Sequence, residues 1–142
     1  MEAKKTPAIT VEALINAPTK KVWEFWTEPQ HITKWTFASD DWHAPYAEND
    51  LRIDGKFKTT MAAKDGSMSF DFEGVYTDVQ TYKLIQYVLG DGREVSISFD
   101  SEDNVTTVTE TFDPESENSI ELQRDGWQAI LDNFKNYVET AV

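Results

Sequence analysis

Among the 142 residues, Glu110 is the one whose position most asks for chemistry. In the run 105–112, Thr106, Val108, Glu110 and Phe112 share one face of an extended segment, and Val108 and Phe112 call for the core. If no bulge interrupts the strand, the carboxyl points inward. Loss of water there raises its pKa, and the group can bind a polar atom of a ligand or exchange a proton. The competing arrangements are a bulge, an Arg or Lys partner, or a sheet-edge position in water, since Glu is seldom fully buried. Asp40, Asp41 and His43 form a second cluster of metal-ligating types, but their spacing matches no zinc framework, so no metal is expected. His31 falls on a short helix and is expected at the surface. The chain has no cysteine, which removes disulfides, thiolate ligands and a thiol nucleophile. No serine stands in a nucleophile elbow, and Gly90-Asp91-Gly92 reads as a hairpin turn rather than a phosphate loop. The residues therefore lean away from an enzyme and call for no cofactor. A cavity acid such as Glu110 is the one route to catalysis.

The elements that would position Glu110 follow from periodicity. Ile9, Val11, Ala13 and Ile15 alternate with polar neighbours as a half-buried strand. Two short helices follow. Thr19 caps the first, which carries Val22, Trp23 and Trp26; Pro29 restarts the second, with Ile32 and Trp35 on one face. Residues 34–50 have no clean period and read as a long loop lined by Trp35, Phe37, Trp42 and Tyr46. Alternation resumes over 51–61, with Leu51, Ile53, Gly55, Phe57 and Met61 on one side. After a turn at 64–67, Met68, Phe70, Phe72, Gly74 and Tyr76 share a face. Further strands are expected near 84–89, 95–99 and 105–112. Last comes an amphipathic helix over 118–140, with Trp127, Ile130, Leu131, Phe134 and Val138 on one face and a capping box formed by Asn118 and Glu121. Hairpin-scale connections imply an antiparallel sheet of about six strands. The fold class is α+β, and only the final helix is long enough to cover a face of the sheet. One domain spanning 1–142 is expected.

Composition narrows the partners. The 26 acidic and 13 basic residues give a formal net charge of −13. Residues 91–142 hold 13 acids against 3 bases. Such an acidic protein repels phosphate backbones and anionic membrane surfaces, so no nucleic-acid partner is expected. No apolar run approaches a membrane span, so no membrane insertion is expected. The first residues lack a hydrophobic signal core, which suggests a cytoplasmic protein. The acidic half is a solvated surface or a docking face for a basic partner. Exposed aromatics between Trp35 and Tyr46 leave both a monomer and a homodimer open.

Four stretches carry a family resemblance. Residues 15–18, with Val22-Trp23 and Thr27-Glu28-Pro29-Gln30-His31-Ile32 through Trp35, resemble an opening pattern "APxxxVWxxxTxPxHLxxWW". Residues 50–57 resemble "DLRxGGxF", 72–79 resemble "FxGxYxEV", and Gly126-Trp127 with Leu131 and Tyr137 resembles "GWxxxLxxLxxYL". Thr36 departs from the first pattern, where a second Trp is usual, and Gln80-Thr81-Tyr82 lacks the prolines usual after the third. The chain thus resembles the SRPBCC superfamily of START and pollen-allergen-like proteins. Within it, the chain is similar to homologues of the C-terminal domain of the activator of the ninety-kilodalton heat-shock protein ATPase.

The resemblance implies a helix-grip (START-like) fold, in which a curved sheet grips the C-terminal helix around a hydrophobic cavity. The implied partner is an apolar small molecule or lipid; a co-chaperone-like protein partner is the alternative, and no catalytic motif transfers. On this expectation the strands line the cavity with Phe57, Met61, Phe70, Phe72, Tyr87, Phe99 and Glu110. The helix adds Trp127, Ile130 and Phe134, and Trp35, Phe37 and Trp42 stand at its mouth. The plainer alternative is that these side chains fill the space and form ordinary core. Gly126, inside the last helix, costs about 1 kcal/mol against alanine; it permits a bend or a close approach to the sheet, or is simply tolerated there.

Overall fold

The computed structural model describes residues 8–141. The chain runs β1 (Ile9–Ile15), α1 (Thr19–Thr27), α2 (Pro29–Trp35), β2 (Trp42–Asn49), β3 (Lys56–Ala63), β4 (Ser69–Gln80), β5 (Leu84–Leu89), β6 (Glu94–Glu102), β7 (Val105–Phe112) and α3 (Ile120–Thr140). The strands form one curled antiparallel sheet in the order β1-β7-β6-β5-β4-β3-β2. This is the α+β helix-grip arrangement, with seven strands rather than about six. The additional strand, β2, lies in the stretch read as a loop. Its period is hidden because the β2–β3 register shifts between His43 and Tyr46, and Pro45 sits inside that irregularity on an edge strand. Conversely, 51–55 is a turn rather than strand, and Ile53 is exposed.

The turn chemistry sets the register that matters most. Asp103 and Asn104 both hold positive φ, 53° and 64°, in a two-residue hairpin between β6 and β7. From that turn the ladder runs without a shift, pairing Ile97 with Glu110 on one side and Val11 with Glu110 on the other. Burial then alternates strictly along β7, with Thr106, Val108, Glu110 and Phe112 inward. No bulge intervenes at Glu110, and β7 is an interior strand.

Two edges remain, and α3 covers one of them. The Gln128 amide donates to the Glu12 carbonyl at 3.0 Å, the Lys135 ammonium donates to the Leu14 carbonyl, and the Asn16 N–H donates to Glu139 at 2.9 Å. These bonds occupy backbone groups that β1 would otherwise offer to another strand. The start of α3 differs from the expected capping box. Ser119 is the N-cap and accepts from the Leu122 N–H at 3.0 Å, while Asn118 bonds to Glu115 in the preceding loop. Gly126 has open space where a Cβ would stand, so no close approach to the sheet depends on it. The glycine the fold does require is Gly55, where a Cβ would lie 2.0 Å from the Asp50 carbonyl oxygen.

The interior divides along α3. Its second half packs tightly: Phe134 meets Trp26 and Trp35 at 4.8 and 4.7 Å between ring centroids, and Phe99 meets Trp23 at 5.1 Å. Leu131, Phe134 and Val138 are completely buried there. Asn133 joins this end by donating to the Trp35 carbonyl at 2.9 Å, which fixes the end of α2 against α3. His31 belongs to the same assembly and is not a free surface group. It stacks on Phe25 at 4.0 Å, and its Nδ1 hydrogen-bonds the Tyr137 hydroxyl at 2.7 Å.

Candidate functional site

The first half of α3 stands off the sheet and leaves a cavity of about 340 Å³. Its walls bring together Trp35, Phe57, Met61, Phe70, Phe72, Tyr87, Glu110, Trp127 and Ile130 from the sequence-derived set. Four other expected residues lie elsewhere. Phe99 and Phe134 are consumed by the tryptophan cluster described above, because their rings fill the space between α1, α2 and α3. Phe37 borders a separate surface depression beside Ala129 and Asn133. Trp42 packs on Phe70 at 6.0 Å but does not itself reach the cavity.

Ring packing gives the walls their shape. Phe57 meets Tyr87 at 4.7 Å and Tyr76 at 5.2 Å, and Phe72 meets Trp127 at 6.0 Å. Trp127 in turn stacks flat on Phe112 at 3.9 Å, which anchors the helix end of the wall. Gly74 is part of this construction, since a Cβ there would stand 3.0 Å from the Phe57 ring and 2.7 Å from the Val88 carbonyl oxygen. Met61 and Ile85 complete the apolar floor.

The sequence alone did not flag several polar wall residues. The Tyr76 hydroxyl donates to Asn49 Oδ1, and Asn49 Nδ2 donates to the Thr27 carbonyl at 2.7 Å. Thr36, at the position where the opening pattern usually has a second Trp, lines the cavity and donates to the Ile32 carbonyl at 2.7 Å. Gln123 is buried and fastens the loop before α3. Its Nε2 donates to the Glu115 and Asn118 carbonyls at 3.1 and 2.9 Å, and its Oε1 accepts from the Glu115 N–H at 2.8 Å. A buried polar residue on the apolar face of an amphipathic helix was the available signal for it. Arg93 also reaches the wall, but its Nε is held by Asp91 at 2.7 Å.

Glu110 stands apart from these satisfied groups. It is 5% exposed, and no hydrogen bond or ion pair reaches its carboxyl from the described residues. Among the described residues, no side-chain oxygen or nitrogen is both sealed from solvent and unpartnered. The unpaired carboxyl must therefore open on the cavity space. Burial pushes its pKa up to about 8 from 4.5. Tyr87 is raised as well, first by burial and then by the charge of Glu110, so it remains a neutral phenol. Burial likewise keeps the Tyr76 phenol neutral. At neutral pH the cavity thus presents an undissociated acid among aromatic rings.

Asp40, Asp41 and His43 are exposed, and no cluster of three metal-ligating side chains occurs among the described residues. No helix there is long and apolar enough to cross a membrane.

Comparison with known proteins agrees with this architecture. An AHSA1-like protein from Aeromonas hydrophila, known from solution NMR, is 46% identical, with 93% of this chain and 92% of that chain covered and a TM-score of 0.88. A Cytophaga hutchinsonii protein of known solution structure is 57% identical over 93% of this chain and 92% of that chain, with a TM-score of 0.81. A Nitrosomonas europaea protein, 18% identical and covering 97% of both chains at a TM-score of 0.80, shares the fold. No curated protein matches. The family described as "Activator of Hsp90 ATPase homolog 1-like protein" matches residues 16–139. With the helix-grip sheet and its C-terminal helix, this match places the chain in the AHSA1-like family of the SRPBCC superfamily.

Proposed function

We propose that this protein binds a compact, largely apolar small molecule in the cavity between the sheet and the first half of α3, as a carrier, sensor or sequestering module. The cavity itself carries the reading. At about 340 Å³ it falls at the small end of the range of ligand pockets, and its walls combine aromatic rings with a few fixed polar groups. A neutral bicyclic aromatic probe, 2-naphthylmethanol, tests the reading by titration against the intrinsic tryptophan fluorescence, to which Trp26, Trp35 and Trp127 contribute from the cavity wall. Saturable quenching that is lost on blocking the cavity supports it. No binding up to the solubility of the probe refutes it.

A second reading is a protein contact at the β3–β4 hairpin, where Met68 is 63% and Phe70 49% exposed. That surface predicts self-association, or capture of a partner, that Met68→Ser abolishes without affecting the probe.

A further inference from the structure

We propose that the natural ligand carries a protonated amine, which pairs with the Glu110 carboxylate while the aromatic walls hold its apolar body. This rests on the cavity reading above and specifies the ligand class of that site.

The cavity wall contains a buried carboxyl with no partner among the described residues. This is Glu110, the one carboxyl among those residues in that state; the buried Tyr87 and Thr59 hydroxyls beside it also lack a hydrogen-bond partner there, whereas Tyr76 bonds to Asn49, Thr36 to the Ile32 carbonyl and Gln123 to the loop before α3. A ligand that completes the site supplies what Glu110 is missing. Anionic ligands are disfavoured, because Glu48, Glu110 and Glu115 all line the cavity and the single guanidinium, Arg93, is already engaged by Asp91. A cation meets favourable surroundings at every stage. The net charge of −13 draws it toward the protein. The faces of Phe57, Phe72, Tyr87 and Trp127 attract it within the cavity. Folding has already stripped water from the carboxyl, so pairing requires removing water from the ligand and, below a pH of about 8, releasing the Glu110 proton.

The charged and titratable groups around Glu110 are few. Its strand neighbours Val11 on β1 and Ile97 on β6 are apolar. Tyr87 on β5 and Tyr76 on β4 face the same space as neutral phenols, α3 contributes only Gln123, Trp127 and Ile130, and Glu48, Glu115 and Arg93 complete the lining. Glu110 is thus the group whose protonation changes on binding. Empty, it holds its proton up to a pH of about 8. When the ammonium enters, that proton leaves to solvent and the carboxylate accepts the N–H. Amine affinity therefore rises with pH up to about 8. A neutral ligand accepting a hydrogen bond from the protonated acid shows the opposite sign, losing affinity as pH passes about 8.

The test compares two probes of nearly the same shape, 2-naphthylmethylamine and 2-naphthylmethanol, by calorimetry at pH 6, 7 and 8 on the whole protein and on Glu110→Gln. The amine is expected to bind about tenfold to a hundredfold tighter than the alcohol at pH 8, as for a charge-assisted hydrogen bond. Its affinity should climb by up to about tenfold per pH unit, with proton release seen in buffers of different ionisation enthalpy. In Glu110→Gln the amine advantage over the alcohol and the pH slope disappear, and an unchanged circular dichroism spectrum shows that the variant is folded. Alcohol binding as tight as amine binding, or amine affinity that is flat or falls with pH, overturns the amine assignment and leaves the cavity reading standing. Failure of both probes to bind overturns both.

Discussion

Glu110→Gln keeps the shape of the side chain and removes its charge, so it isolates the cost of holding an ionisable group in the cavity wall. In the folded chain the carboxyl titrates at about 8 against 4.5 for the free side chain. The folded state therefore binds more protons than the unfolded state between these values, and stability falls as pH rises across that window. This sign is opposite to that of a salt-bridged carboxylate. At about 1.4 kcal/mol per pH unit, the ionisation of Glu110 that only the unfolded chain allows below a pH of about 8 removes roughly 3 kcal/mol of stability by pH 7 and on the order of 5 kcal/mol by pH 9. Urea denaturation of both proteins at pH 4.5, 7 and 9 measures this directly. The remaining carboxylates titrate alike in both, so the difference between the two proteins cancels their contribution. Near pH 4.5 the two should be about equally stable. At pH 7 and 9 the Gln variant should be more stable by about those amounts. Parallel stability curves would mean that Glu110 titrates normally in the folded state, and the buried, unpaired carboxyl at the centre of the account would be wrong.

Other substitutions test the surrounding construction. Gly126→Ala should stabilise the protein by up to about 1 kcal/mol in thermal or urea unfolding, because the site is helical and a Cβ there meets open space. Gly55→Ala should destabilise it by more than about 2 kcal/mol, since the new Cβ would collide with the Asp50 carbonyl and the turn must distort. Thr36→Trp should place an indole in the cavity, weakening 2-naphthylmethanol binding at least about tenfold at a stability cost of about 1–3 kcal/mol.

Much of this architecture was legible because burial follows period. Alternation along 9–15 and 105–112 gave strands whose faces the structure keeps, and the three-and-four spacing of Leu131, Phe134 and Val138 gave the buried stripe of α3. The inward face of Glu110 followed from Val108 and Phe112 alone, since a strand without a bulge admits one assignment. Periodicity could not divide the core into packed and open halves. Phe134 and Trp127 sit on the same helical face, yet one is locked among Trp26 and Trp35 while the other borders empty space. That difference depends on where α1 and α2 lie over the sheet, which is tertiary information. For the same reason Phe99 looked like a wall residue, although α1 brings Trp23 down onto it. Strand β2 was hidden by its bulge and by Pro45; Gln123 is marked by its place on the apolar face of α3, but its partners depend on the conformation of the loop before the helix.

Chemical-shift mapping of the ¹⁵N-labelled protein with 2-naphthylmethanol tests the central claim most directly. The cavity account predicts saturable shifts concentrated at Phe57, Phe72, Tyr87, Glu110, Trp127 and Ile130, which face one space from four strands and one helix. Shifts confined to Met68 and the outer face of the β3–β4 hairpin, or none at saturating probe, would contradict it.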